Sequence, residues 1–249
     1  MKYRESDLEY LKKYIKEHNL DDAYYNKCLE ELDKGRPIQY IIGEVNFFGY
    51  DITVNENVLI PRYETELLVD KAITRINKMF PGKCVNIIDL GTGSGCIAIT
   101  LKKKLNCNVD ALDISREALA VARENAKRNN ALINFICDDM TTYTDNKYDV
   151  IISNPPYIAP GEEIQDIVKN NEPEIALYAE DNGLYFYEKI IENIPKITNG
   201  KYLVCLEIGN TQAKTIKMMA QRKLKNAYVY IEKDYSGQDR YVFIINLKN

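Results

Sequence analysis

The sequence predicts an α/β protein built on a mostly parallel sheet with helices on both faces. Three observations predict it. Short runs rich in Val, Ile, Leu and Tyr, each the length of a buried strand, alternate with longer stretches whose apolar residues recur at helical spacing. A glycine-rich loop, Gly91-Thr92-Gly93-Ser94-Gly95, joins one such strand to a helix. An acid, Asp113, closes the next strand about 20 residues beyond that loop, the spacing at which nucleotide-binding sheets place a partner for ribose.

The elements follow in order along the 249 residues. Residues 3–16 and 21–33 carry Leu8, Leu11 and Ile15, then Tyr25, Cys28, Leu29 and Leu32, at helical spacing, which predicts a small helical pair ended by Gly35-Arg36-Pro37. Residues 45–54 alternate around Gly49 and predict a hairpin. Helices are expected at about 64–78, 96–105, 115–129, 184–194 and 211–224. Strands are expected at 85–90, 109–113, 134–137, 148–153, 202–208, 227–232 and 241–247. The organisation expected is a helical unit over 1–36, a hairpin linker over 37–60 and the sheet domain over 61–249. No internal repeat or low-complexity tract interrupts it.

Composition narrows the class. A net charge of −4 with dispersed lysines argues against a duplex nucleic-acid binder, which needs a basic face to neutralise phosphates. The clusters Lys102-Lys103-Lys104 and Arg222-Lys223 fall at expected helix ends, where cations answer the dipole. No stretch reaches the ~20 apolar residues that span a bilayer, and Met1-Lys2-Tyr3-Arg4-Glu5 lacks the apolar core of a signal peptide, so the expected location is the cytoplasm. The six cysteines form no C-x-x-C pair, so neither a metal site nor a disulfide framework is expected. Cys84, Cys96, Cys137 and Cys205 lie on or beside apolar runs and are expected to be buried thiols. The single histidine, His18, sits in a polar helix end and is assigned to the surface rather than to catalysis.

The chemistry is concentrated after the strand at 148–153, in Asn154-Pro155-Pro156-Tyr157. Open α/β sheets bind ligands at such carboxyl ends. Two prolines remove two backbone donors and fix two φ angles, which keeps the Pro155 carbonyl outside any helix or ladder and free to accept. With the side-chain oxygen of Asn154 it forms a pair of acceptors that can grip both hydrogens of a planar NH2 group, while the Tyr157 ring stacks on that plane. Asn154, Pro155 and Tyr157 are the candidate catalytic residues. Asn154, Pro155, Pro156 and Tyr157 are the candidate substrate contacts.

An electrophile-binding motif precedes it. Asp89 lies near the end of its strand, and Gly91, Thr92, Gly93 and Gly95 form a loop whose backbone can turn sharply and approach a ligand. The following helix N-terminus favours a carboxylate or phosphate. Cys96 stands where G-x-G-x-x-G requires its last glycine, which weakens a pyrophosphate reading. Asp113 fits a nucleoside-bearing cofactor. The strand at 134–137 runs into Asp138-Asp139-Met140, where Asp139, in competition with Asp138, can take the exocyclic amine of adenine and a backbone amide the ring nitrogen.

Asp89-Leu90-Gly91-Thr92-Gly93-Ser94-Gly95, then Asp113, then Asn154-Pro155-Pro156-Tyr157 together resemble a class I S-adenosylmethionine-dependent methyltransferase acting on an amino nitrogen. Ile60-Pro61-Arg62-Tyr63-Glu64-Thr65-Glu66, with Gly43-Glu44 and Phe47-Phe48-Gly49 before it, is similar to the protein-(glutamine-N5) methyltransferases of the HemK/PrmC family, which modify peptide chain release factors. Glu172-Pro173, Ala176-Leu177, Asn182-Gly183-Leu184, Tyr187, Glu207-Ile208-Gly209, Gln212, Asp234, Gly237, Asp239 and Arg240 extend the likeness to the end of the chain. Two features depart from the family pattern. Tyr63 stands where proline is usual, and the segment before Gly35 is short for the family's helical N-terminal domain.

The resemblance implies a Rossmann-like seven-stranded sheet whose strand at 241–247 is antiparallel, with S-adenosylmethionine held by Asp89, Gly91, Thr92, Gly93, Gly95, Asp113, Asp139, Met140 and Asn154. It implies methyl transfer to the side-chain amide nitrogen of a glutamine in class I release factors, with Arg62 and Glu64 near the mouth of the site. A monomer with no nucleic-acid target is expected. The competing expectation is an adenine-N6 or guanine-N2 nucleic-acid methyltransferase, since the same tetrapeptide can hold the exocyclic amine of a flipped base.

Overall fold

The helical pair forms as the spacing predicts. In the computed structural model, which describes residues 4–248, α1 (Glu5–His18) packs on α2 (Asp22–Asp33) around Leu11 and Cys28. Met1, Lys2, Tyr3 and Asn249 lie outside the described residues, and with them the expected helix start at Tyr3. Asn19 in the left-handed region ends α1, and the Asp21 side chain caps α2 by accepting from Tyr24 N at 2.9 Å. A short helix not anticipated from the sequence, α3 (Ile38–Ile42), follows inside the segment read as linker. Its five residues are too few to display a helical period, yet Ile38 is buried against Leu11 and Cys28.

The hairpin comprises β1 (Glu44–Phe47) and β2 (Tyr50–Thr53), antiparallel, with Phe48 and Gly49 both at positive φ in the turn. A two-residue turn of that hand matches the twist of the strands. Glu44, at the start of β1, accepts from the Tyr14 hydroxyl at 3.2 Å and lies 3.9 Å from His18 Nε2. His18 is half-exposed and stacked on Tyr14, in agreement with its surface assignment.

The sheet then runs β3 (Val85–Leu90), β4 (Cys107–Asp113), β5 (Asn134–Cys137), β6 (Tyr148–Ser153), β7 (Thr198–Glu207), β8 (Tyr228–Lys233) and β9 (Asp239–Asn246). Their spatial order is β5-β4-β3-β6-β7-β9-β8, and β9 is antiparallel to both its neighbours. Helices α4 (Tyr63–Met79), α5 (Cys96–Lys104) and α6 (Arg116–Arg128) cover one face. Three short helices, α7 (Asp166–Lys169), α8 (Glu174–Leu177) and α9 (Glu180–Gly183), precede α10 (Tyr185–Ile197) and α11 (Ala213–Lys223), which cover the other. Strand periodicity divides the core accordingly: Ile87, Val150, Ile152, Leu203 and Cys205 face the first layer, and Ile88, Ile151, Val204 and Leu206 the second. Burial on both faces is why these strands read as continuous apolar runs.

Two of the four cysteine expectations fail. Cys96 and Cys205 are buried, but Cys84 and Cys137 are exposed. Cys84 precedes β3 and Cys137 ends the edge strand β5, so apolar neighbours in sequence do not cover either thiol in space. Lysines 102–104 occupy the last turn of α5, and Arg222 and Lys223 that of α11, as expected for cations answering a helix dipole.

The hairpin is latched to α6. Asn125 accepts from Thr53 N at 2.8 Å and donates to Thr53 O at 2.9 Å, replacing a strand partner for one residue of β2. Arg128 of the same helix reaches Glu44 at 2.6 Å.

Chain order creates the crevice that matters. From β3 the chain builds outward to β4 and β5, then returns to lay β6 on the opposite side of β3. The loops after β3 and β6 therefore leave in opposite directions and open a ligand site between them. Ser153 Oγ donates to Leu90 O at 2.6 Å and holds the two strand ends together beneath it.

Candidate active site

The loop after β3 is shaped by Gly91 and Gly93, both at positive φ, and its Gly91 and Thr92 amides donate to Leu112 O at 2.8 and 2.9 Å. A side chain at Gly91 would put its Cβ 2.8 Å from Met140 Cε. Absence of a Cβ there is what lets the two walls of the cavity approach. The cavity, about 250 Å³, is lined by Gly91, Thr92, Gly93, Asp113, Asp139, Met140 and Asn154 among the residues the sequence singled out. Pro61 just before α4, Thr65 in its first turn, Ile175 and Ala176 of α8, and Tyr185 and Phe186 of α10 also line it.

Asp113 is held rigidly, with Oδ2 accepting from Gly93 N at 2.8 Å and Oδ1 from Ser115 N at 2.9 Å. Burial raises its carboxyl above the ordinary value, opposed by those backbone amides. Asp139 accepts from Thr141 N at 2.8 Å and lines the cavity, whereas Asp138 is exposed and spends a carboxylate oxygen on Asp139 N at 2.7 Å. Of the two competing acids, Asp139 is the one at the site.

Two residues grouped with the cofactor stand behind the wall. Gly95 is not among the residues that line this cavity. A Cβ there would lie 3.1 Å from Ala122 Cβ, so its smallness serves the contact of α5 with α6. Asp89 is fully buried, with Oδ2 accepting from Thr92 Oγ1 at 2.6 Å and Oδ1 without a partner among the described residues. Burial pushes its carboxyl up to about 7, helped by the nearby Asp113 charge and opposed by Thr92 and the Ala98 amide. Through Oδ2 and Thr92 this carboxyl is linked to the cavity wall, a placement that suits a ligand carrying a cationic amino group. The donor set as a whole thus fits S-adenosylmethionine: Asp113 for ribose hydroxyls, Asp139 for an adenine amine, and the negative potential of Asp89 for the amino-acid end.

A second, wider depression of about 820 Å³ adjoins the first and is lined by Arg62, Glu64, Tyr157, Glu172, Glu207 and Arg240, with α7 contributing Ile167 and Val168. Arg62 lines both cavities. It is ion-paired to Glu172, a buried carboxylate that also accepts from Ile60 N at 3.1 Å. Arg240 donates to Ile208 O at 3.1 Å and Asp234 at 3.2 Å. Burial and the charge of Glu207 push the Tyr157 hydroxyl up to about 12, so the ring is neutral at physiological pH.

Asn154 stands on the wall of the first cavity with its amide oriented. Its Nδ2 donates to Thr65 Oγ1 at 3.2 Å, and Thr65 Oγ1 donates to Glu207 Oε2 at 2.8 Å. Among the described residues neither Asn154 Oδ1 nor the Pro155 carbonyl has a hydrogen bond. Pro156 lines the cofactor-sized cavity, Tyr157 the second, and Pro155 is buried between them. The tetrapeptide is tethered from behind by Gln212, which donates to Tyr157 O at 2.9 Å and Gly183 O at 3.2 Å while accepting from Gly209 N at 2.9 Å.

Thr65, Glu172, Glu207 and Gln212 belong to the stretches that carry the family likeness, but the sequence assigns none of them a role. Thr65 reads as an ordinary polar residue in the first turn of a helix. Glu207 did leave a signal, an acid inside an otherwise apolar strand ending, which only a partner or a function sustains. Among the described residues no group of His, Cys, Asp and Glu is disposed to hold a metal, and no helix is long and apolar enough to cross a membrane.

Comparison with known proteins agrees with this geometry. The family model of the methyltransferase small domain matches residues 65–172. The chain is 41% identical over 229 residues to the release factor glutamine methyltransferase of Bacillus anthracis, covering 89% of this chain and 81% of the relative. It is 39% identical over 238 residues to that of Bacillus subtilis, covering 92% and 82%. A solved methyltransferase from Pyrococcus furiosus superposes with a TM-score of 0.59 over 81% of this chain and 91% of its own, and at 22% identity it speaks for the fold alone. The sheet order and its antiparallel strand are those of a class I S-adenosylmethionine-dependent methyltransferase. By sequence identity over most of both chains, the protein belongs to the release factor glutamine methyltransferase family.

Proposed function

We propose that this protein transfers a methyl group from S-adenosylmethionine to the side-chain amide nitrogen of a glutamine in a class I peptide chain release factor, in the cytoplasm and as a monomer. The observation that supports the reading is a pair of neighbouring acceptors with no hydrogen bond among the described residues, Asn154 Oδ1 and the Pro155 carbonyl, with Asn154 on the wall of a cavity suited to the cofactor. When bound, S-adenosylmethionine supplies an electrophilic methyl on a cationic sulfur. Asn154 and Pro155 accept the two amide hydrogens and leave the nitrogen lone pair aimed away from them, into the cofactor cavity. Pro155 and Pro156 keep the backbone from moving as they do so. Tyr157 offers its neutral ring to the amide plane from the side of the second depression. Orientation of this kind supplies the larger part of the rate, and no general base need act before transfer, because the surplus proton on the methylated nitrogen is acidic enough to leave to water. Gly91, Thr92, Gly93, Asp113, Asp139 and Met140 hold the cofactor, Asp89 acts through its charge from behind, and Arg62 and Glu64 meet the protein substrate at the mouth.

Methyl transfer from labelled S-adenosylmethionine, offered in parallel to purified release factor and to bulk nucleic acid, tests the assignment. Label in the release factor at glutamine is expected. Label confined to nucleic acid would sink it.

Asp113→Ala is expected to weaken S-adenosylmethionine binding by roughly 1.5–3 kcal/mol, the scale of a hydrogen bond to a charged group. Calorimetry that found unchanged affinity would put the ribose elsewhere.

Residues 1–36 are proposed as a unit that recognises the protein substrate, with 37–60 as linker and 61–249 as the methyltransferase domain. Two acceptors cannot tell one glutamine from another, so selection rests on contacts remote from the reacting atoms. A chain beginning at Lys34 is expected to bind cofactor normally and to methylate intact release factor at least about tenfold more slowly. Because Ile38 packs on Leu11 and Cys28, aggregation of the shortened chain would instead mark the helices as a cover. A folded, fully active shortened chain would refute recognition.

A further inference from the structure

Asn154 can serve as an acceptor only if its amide is turned the right way. The side chain is nearly symmetric in shape, and a half-turn about its last bond would present NH2 to the substrate nitrogen instead of oxygen. Something must choose. The geometry points to Thr65 and Glu207 as positioning residues: the buried carboxylate of Glu207 claims the single hydroxyl proton of Thr65, and the hydroxyl, left with lone pairs only, accepts from Asn154 Nδ2 and so turns Asn154 Oδ1 toward the substrate.

Proton count carries the argument. An ionised carboxylate can only accept, so Thr65 Oγ1 must donate along its 2.8 Å contact to Glu207 Oε2. A hydroxyl has one proton, so the 3.2 Å contact with Asn154 has the amide as donor. Protonating Glu207 removes this constraint, because the acid can then donate to Thr65 and release the hydroxyl proton toward Asn154. The three side chains come from α4, β7 and the loop after β6, and Glu207 is 1% exposed, so water does not compete for the chain of bonds. The elements around Glu207 present Arg62 and Glu64 from the start of α4, Tyr157 from the loop, Tyr187 from α10, and Arg240 and Tyr241 from β9. Burial outweighs the two arginines and brings its carboxyl up to about 7, so the switch between the two bonding directions falls within the physiological range. Tyr187 fixes the same residue from behind, its hydroxyl donating to Glu207 O at 2.8 Å.

The inference rests on the proposed amide chemistry for its kinetic test but has a readout independent of it. With cofactor and release factor saturating, Thr65→Val is expected to lower kcat about tenfold to a hundredfold, leaving cofactor affinity and the KM for release factor near their original values, and Thr65→Ser to recover most of the rate. With cofactor saturating at every pH, so that titration of Asp89 near 7 does not limit binding, the rate of the unaltered enzyme should rise between pH 6 and pH 8 with a midpoint of about 7, and Glu207→Gln should abolish that rise. In nitrogen-15 spectra the Asn154 side-chain amide should titrate with the same midpoint, and cease to do so in Thr65→Val and in Glu207→Gln. A Thr65→Val enzyme of normal kcat, a Thr65→Ser enzyme as slow as the valine form, or an Asn154 amide indifferent to Glu207 would each overturn the relay. Failure of the unaltered enzyme to label release factor would instead sink the substrate assignment, while the amide titration would still decide the relay.

Discussion

Asn154→Ala is expected to slow methyl transfer by about 10²-fold or more while leaving S-adenosylmethionine affinity little changed, on the scale of losing one preorganised group that acts in the transition state. The alanine removes the free Oδ1 and leaves the Pro155 carbonyl as a lone acceptor, so the substrate amide can rotate about a single hydrogen bond. It also strips Thr65 of its donor, though the Thr65 bond to Glu207 stays available. Single-turnover rates at saturating substrate, set beside calorimetric cofactor binding, separate the two effects. Loss of cofactor affinity with a normal saturated rate would mean that Asn154 belongs to the cofactor and not to the amide.

Gly183→Ala should be nearly as damaging although the residue touches neither ligand. Its φ is +78°, and a Cβ there would come 2.1 Å from Tyr157 O and 2.5 Å from Gln212 Nε2. Gln212 is a side chain and can swing aside, but the carbonyl belongs to the tetrapeptide itself. Asp181 and Asn182, immediately before, are also left-handed, so the turn has no slack with which to absorb the methyl. Backbone strain alone costs about 1–2 kcal/mol for a left-handed alanine. Displacement of Tyr157 by about 1 Å is expected to cost a further factor of about 10² in rate. The check is a melting curve together with a rate measured well below the melting temperature. A folded variant with full activity would show that the rear tether of the tetrapeptide is unimportant.

Much of this was legible in the sequence, for identifiable reasons. β3, β6 and β7 are buried on both faces, which concentrates Val, Ile and Leu and makes them stand out. Asn154-Pro155-Pro156-Tyr157 declares itself because paired prolines restrict the backbone whatever surrounds them. Asp113 follows from spacing within one βαβ unit. What stayed hidden depends on neighbours distant in the chain. Nothing local tells β3 that β6, rather than β5, will lie on its open side. Thr65 acquires its role only when β6 and β7 deliver Asn154 and Glu207 to it, and Glu172 becomes the anchor of Arg62 across a separation of 110 residues. The exposure of Cys84 and Cys137 is hidden for the same reason, since local apolarity does not reveal which strand ends and edges remain open. The short helices between β6 and α10 are each about one turn long and leave no periodic trace.

Glu44 links the helical pair to the sheet domain: from α1 the Tyr14 hydroxyl donates to it and His18 Nε2 lies 3.9 Å away, and from α6 Arg128 pairs with it as an ion. The junction has an apolar part as well, since Ile38 is buried against Leu11 and Cys28, and Asn171 donates to Gly35 O at 3.0 Å. Dissolved salt shortens the reach of the ionic attraction, to about 8 Å at physiological ionic strength, while the apolar packing beneath α4 and α5 is indifferent to such screening. Raised salt is therefore expected to weaken the Arg128–Glu44 pair while leaving the apolar contacts of Ile38 and the crevice below in place.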